Sequence, residues 1–108
     1  MGKIQVITGG KDGFDKFLAD AGGKLVVVDF YADWCGPCRM MAPAVEKLAE
    51  EHTDVVFAKV NVDNEGEISE SCGISAMPTF QFFKNGQKVH DFTGASVEKL
   101  TQGVTKYK

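Results

Sequence analysis

Two cysteines three positions apart, Cys35 and Cys38 in the segment Trp34-Cys35-Gly36-Pro37-Cys38, offer the most direct chemistry in this chain of 108 residues. On a helix, residues i and i+3 share a side, and that spacing falls within the roughly 4.4–6.8 Å Cα separation a disulfide tolerates. The pair can therefore close and open without moving the backbone far. Upstream, Leu25 to Val28 is an unbroken apolar run, the pattern of a strand buried on both faces. Downstream, Met41, Val45, Leu48 and Ala49 recur at helical spacing. The cysteines thus fall where a strand hands over to a helix, in a first turn whose unpaired N–H groups and positive macrodipole favour a thiolate over a thiol. Cys35 is expected to be acidic. Pro37 suits a first turn because it has no N–H to satisfy, and Gly36 lets another chain approach the sulfur closely.

An acid sits inside the apolar run. Ionised carboxylates are costly in a strand buried on both faces, so Asp29 should have a raised pKa and be able to hold or release a proton near neutrality, as a general base does. A plainer reading makes it a buried acid satisfied by Lys59 on the next strand. For the cysteines, the plainer readings are half a zinc site or an inert pair. Zinc takes about four ligands, and only Cys72, His52 and His90 remain as soft candidates, none at paired spacing.

The elements that must hold these residues follow from periodicity. Ile4, Val6 and Thr8 read as the alternating positions of a short first strand, closed by Gly9 and Gly10. Phe14, Phe17, Leu18 and Ala21 predict a helix with one buried face, ended by Gly22 and Gly23. Pro43 should kink the helix that follows the cysteines. Val55 to Val62 reads as a strand, and Asp63 to Cys72 as a short helix stopped by Gly73. The runs Thr79 to Phe83 and Val89 to Phe92 flank Asn85-Gly86, a strong hairpin signal. Ser96 can cap a last helix with the apolar stripe Val97, Leu100, Val104 and Tyr107. The order β-α-β-α-β-α-β-β-α predicts an α/β chain, a mainly parallel sheet with helices on both faces and an antiparallel part from the final hairpin. Residues 1–108 are expected to form a single domain, since the length leaves room for one modest core.

Composition narrows the partners. Apolar residues make up 44% of the chain, charged residues 25%, and the net charge is −3, which argues against nucleic acid or an anionic membrane. The apolar runs are too short to span a bilayer, and the first residues lack the basic segment and apolar block of a signal peptide. A cytoplasmic location is expected, with nuclear or secreted pools left open, and there a lone CxxC beside a βαβ pattern points to redox chemistry.

WCGPC after a VVVDFYA strand resembles the thioredoxin family, and the likeness extends over nearly the whole chain. The resemblance implies the thioredoxin fold, a central mixed β-sheet with helices on both faces, with the Leu25 strand at its centre. It implies a general protein-disulfide reductase: Cys35 attacks a client disulfide and Cys38 resolves the mixed disulfide. Asp29 would help deprotonate Cys38, with Lys59 as modulator. Trp34, Ala76, Met77, Pro78, Thr79, Gly94 and Ala95 resemble the family's client-docking surface, with a cis Met77–Pro78 bond turning the backbone of Ala76 and Met77 outward for strand-like pairing. Asp63 is similar to an acid that accepts the Trp34 indole N–H in animal members. Cys72 is a candidate regulatory thiol, against the plainer reading of a small buried apolar residue. No bound cofactor or metal is implied; electrons would come from NADPH through thioredoxin reductase, and clients would include peroxiredoxins, ribonucleotide reductase and methionine sulfoxide reductases. A monomer is expected. Two rivals are a secretory oxidant or isomerase, against which Gly36-Pro37 counts, and a binding module using the Trp34/Met77/Pro78 surface without turnover.

Overall fold

The apolar run becomes the middle of the sheet. In the computed structural model, which describes residues 3–108, the elements in chain order are β1 (Ile4–Val6), α1 (Gly10–Asp20), β2 (Val26–Tyr31), α2 (Gly36–Glu51), β3 (Val56–Asn61), α3 (Gly66–Ser71), β4 (Thr79–Lys84), β5 (Gln87–Thr93) and α4 (Val97–Tyr107). One sheet runs in the order β1-β3-β2-β4-β5, so β2 is central as expected. It pairs in parallel with β3 and antiparallel with β4, and β4 pairs antiparallel with β5.

Alternation along the strands divides the core in two. Leu25, Val27, Phe57, Phe80 and Phe82 face α2 and α4, where Met41, Val45, Leu48, Leu100 and Val104 meet them. Val26, Val28, Phe30, Ala58, Val60 and Phe83 face α1 and α3, against Phe14, Leu18 and Ile68. A continuous apolar run is what two covered faces require.

Local signals set most boundaries. The Ser96 hydroxyl accepts from the Lys99 N–H and caps α4. Asn85 and Gly86 both have positive φ, 55° and 79°, the pairing a tight hairpin turn needs for its twist to match the strands. Pro43 lies inside α2 on its exposed side.

Three expectations are corrected. Val6 is 57% exposed, and Ile7 is the buried residue, at 2%; β1 is an edge strand of only three residues, so its outward positions meet solvent rather than a second helix layer. Val97 is 51% exposed, leaving Leu100, Gly103 and Val104 as the buried stripe of α4. Asp63 to Glu65 are not helical, because the Asn61 side chain accepts from the N–H groups of Asp63 and Asn64 and holds a turn that delays α3 to Gly66.

Candidate active site

The chain leaves β2 at Tyr31, turns through Asp33 and Trp34, and enters α2 at Gly36 with Pro37 in its first turn. Cys35 is the N-cap, and its Sγ accepts the Cys38 N–H at 3.2 Å. Sulfur here occupies the place a serine or aspartate oxygen takes at other helix starts. Cys35 and Cys38 are joined by a disulfide with their Cα atoms 5.3 Å apart. Both are almost fully buried, packed with Ala32 against Tyr31, Val62 and Met77. The sulfur that caps the helix therefore lies at the positive end of α2, where developing negative charge is stabilised once the disulfide opens.

Behind Cys38 is a cavity of about 210 Å³, lined by Ile4, Asp29, Tyr31, Asp33, Glu46 and Lys59 among others. Asp29 is buried, and its Oδ1 has no hydrogen-bond partner. Burial pushes its pKa up from 3.8 to about 7, against the opposing pull of the Lys59 charge. Lys59 stands beside it in the β2–β3 register, but its ammonium lies over the Tyr31 ring, 5.3 Å from the centroid.

On the outer side, Trp34 is 67% exposed and donates its indole N–H to Asp63 at 3.0 Å. The Met77–Pro78 peptide is cis. Thr79 Oγ1 donates to the Ala76 carbonyl at 2.6 Å, and the Gly94 N–H donates to the Pro78 carbonyl at 2.9 Å. These bonds tie the loop before β4 to the end of β5. Among the described residues, no main-chain partner is taken by the N–H or C=O of Met77, which is half-buried against the cysteine cluster.

The structure thus gathers Asp29, Trp34, Cys35, Gly36, Pro37, Cys38, Lys59, Asp63 and Met77 around the helix start, with Ala76, Pro78 and Gly94 in the adjoining loops. Cys72 lies elsewhere, as the half-buried free cysteine at the C-terminal end of α3; burial raises its thiol pKa, and its carbonyl accepts from the Gln81 side chain. Glu46 of α2 also lines the cavity. Among the described residues no group of three or more His, Cys, Asp or Glu could hold a metal ion.

Sequence reasoning missed two residues. Tyr31 could have been found from its spacing, since position i+2 on a strand shares the face of Asp29. Arg39 gave no such signal; its Nη1 donates to the Asp33 carbonyl at 2.6 Å, pinning the loop between β2 and the cysteines.

Comparison with known proteins places this geometry. The Thioredoxin family description matches residues 5–106. Thioredoxin from Mus musculus is 50% identical over 97 residues, covering 90% of this chain and 92% of that protein. Thioredoxin from Ophiophagus hannah is 46% identical over 101 residues, covering 94% and 96%. The solved structure of Fasciola hepatica thioredoxin superimposes with a TM-score of 0.93 at 44% identity, covering 96% of this chain and 99% of that one.

Proposed function

From the premise that this chain belongs to the thioredoxin family, we propose how its residues divide the work of thiol–disulfide exchange. The chain is a dithiol–disulfide oxidoreductase that acts through its CxxC pair. In the reduced chain the Cys35 thiolate attacks one sulfur of a client disulfide, forming a Cys35–client bond and expelling the other client sulfur as a thiolate, which takes a proton from solvent. Cys38 then gives its proton to Asp29, directly or through a water in the cavity, and attacks Cys35. The second client thiolate leaves. The client gains two electrons as a dithiol, and the chain is left with the Cys35–Cys38 disulfide.

The observation that carries this reading is the pair itself: two bondable sulfurs at a helix start, one capping the helix and the other backed by a buried acid whose pKa is about 7. Gly36 and Pro37 shape the turn. Trp34, Ala76, Met77, Pro78 and Gly94 receive an extended client segment, a reading supported by the exposed indole and the unpaired main chain of Met77. Asp63 steadies Trp34 through the indole bond, and Lys59 tempers Asp29. Cys72 is the candidate regulatory thiol, half-buried and made less acidic by that burial.

We further read residues 1–108 as one domain acting as a cytoplasmic monomer. It takes electrons from NADPH through thioredoxin reductase and passes them to peroxiredoxins, ribonucleotide reductase and methionine sulfoxide reductases. No helix is long and apolar enough to cross a membrane among the described residues.

With thioredoxin reductase and NADPH, the chain should reduce insulin disulfides. Cys35→Ser should abolish the reaction, and Cys38→Ser should accumulate mixed disulfides visible on a non-reducing gel. An active Cys35→Ser chain would overturn the mechanism.

A further inference from the structure

Lys59 and Asp29 are neighbours on adjacent parallel strands, and both line the cavity behind Cys38. Adjacent strands lie about 4.8 Å apart, within reach of a lysine side chain. A direct ion pair is therefore open to them, and pairing is the usual way a protein holds a buried carboxylate. That pair is not formed. Among the described residues the ion pairs are Lys11–Asp15, Lys16–Asp20, Lys88–Asp91 and Lys108–Asp54, and Asp29 Oδ1 has no hydrogen-bond partner. The Lys59 ammonium lies instead over the face of Tyr31, at a distance where the ring quadrupole attracts a cation.

We propose that Tyr31 is a positioning residue for the exchange reaction: its ring holds the Lys59 ammonium off the Asp29 carboxyl, which stays without a paired cation in front of Cys38. The physical reason is competition for one charge. An ammonium bonded to the carboxylate would favour the ionised form and make Asp29 a poor acceptor for the Cys38 proton. Parked on the aromatic face, the same ammonium acts on Asp29 only through space, and burial remains the larger influence. The other titratable or charged groups around Asp29 are Cys38, Arg39 and Glu46 from α2 and Asp33 from the loop before it. From β4 its register neighbour is Phe80, and β1 contributes Ile4 to the cavity; neither titrates. Lys59 is thus the cation that β3 supplies, and Tyr31 the group beside Asp29 on β2 that decides where it rests.

The consequence for turnover rests on the proton-transfer role proposed for Asp29, whereas the placement of the ammonium does not. The test is a titration of the Asp29 carboxyl carbon by NMR in the oxidised chain, in which Cys35 and Cys38 do not titrate. Tyr31→Phe keeps the ring and should titrate like the parent. Tyr31→Leu frees Lys59 and should lower the Asp29 midpoint by about one pH unit or more, a tenfold change in its ionisation. Lys59→Met should raise the midpoint, and adding Tyr31→Leu to it should then change nothing. A parent-like midpoint in Tyr31→Leu would overturn the proposal. So would an equal drop in the Lys59→Met background, since that drop would come from water entering the cavity. Should Tyr31→Leu not fold, the unaltered chain still decides: the Lys59 ε-protons should be shifted upfield by the Tyr31 ring, and unshifted ε-protons would sink the assignment. The pH profile of insulin reduction by Tyr31→Leu should move down together with the titration. A moved titration with an unmoved profile supports the Tyr31 assignment and overturns the proton role of Asp29 instead.

Discussion

Asp29 is an acid that the fold removes from water without giving its Oδ1 a donor. Its folded pKa of about 7 stands above the unfolded value near 3.8. As pH rises through about 4 the unfolded chain releases this proton while the folded chain keeps it, so the stability present at low pH is lost progressively until pH passes 7. Three units of difference correspond to about 4 kcal/mol at most. Asp29→Asn, which mimics the protonated form, should therefore be more stable than the parent at pH 8 by up to about 4 kcal/mol and nearly equal to it at pH 4. Urea unfolding of the oxidised chains at both pH values checks this, and a variant no more stable than its parent at pH 8 would contradict the burial argument. The same substitution removes the proton acceptor, so its rate of mixed-disulfide resolution should fall even as its stability rises. The acid was legible in the sequence as a polar residue within an apolar strand. Its missing donor was not, because that depends on where the Lys59 side chain goes.

At the scale of elements, the helices are set by their ends and their tightest contacts. The start of α2 uses a reactive sulfur as its cap, so the group that begins the helix is also the one that attacks the client disulfide. In α4, Gly103 faces the sheet, and a Cβ there would come within 2.6 Å of the Phe82 ring, which is fully buried. Helix propensity alone would make Gly103→Ala favourable by about 1 kcal/mol. Overpacking against a ring that cannot swing away should outweigh that gain, for a net loss of about 1–3 kcal/mol measured by chemical denaturation. A stabilised Gly103→Ala chain would show that α4 can slide on the sheet. Ser96 as cap and Asn85-Gly86 as turn were readable because each acts on its own neighbours in sequence. Val97 was misread as core because helical spacing names a stripe without saying how far the stripe stays covered.

Across the whole molecule, stability and client contact are carried by different residues. The core is two apolar layers on either side of one sheet, while Trp34 stands outside both and donates its indole N–H to exposed Asp63. Trp34→Ala should leave unfolding within about 0.5 kcal/mol of the parent while lowering kcat/KM for insulin several-fold. Phe57→Ala, in the layer under α2, should cost about 3–5 kcal/mol. Parallel denaturation and steady-state assays test the separation; a strongly destabilised Trp34→Ala would show that the indole belongs to the fold.

By itself the sequence determined the kinds of elements and their order, the cysteine pair at a helix start, and an acid inside a buried strand. These follow from periodicity and from groups a few bonds apart along the chain. Only the tertiary structure decided that Asp29, Lys59 and Tyr31 share one cavity with Cys38, that the ammonium rests on a ring instead of a carboxylate, and that Met77 packs against the disulfide. Those relations join β2 to β3, to α2 and to the loop before β4. Strand order and register create them, and no local pattern in the chain encodes the distance between residues that folding brings together.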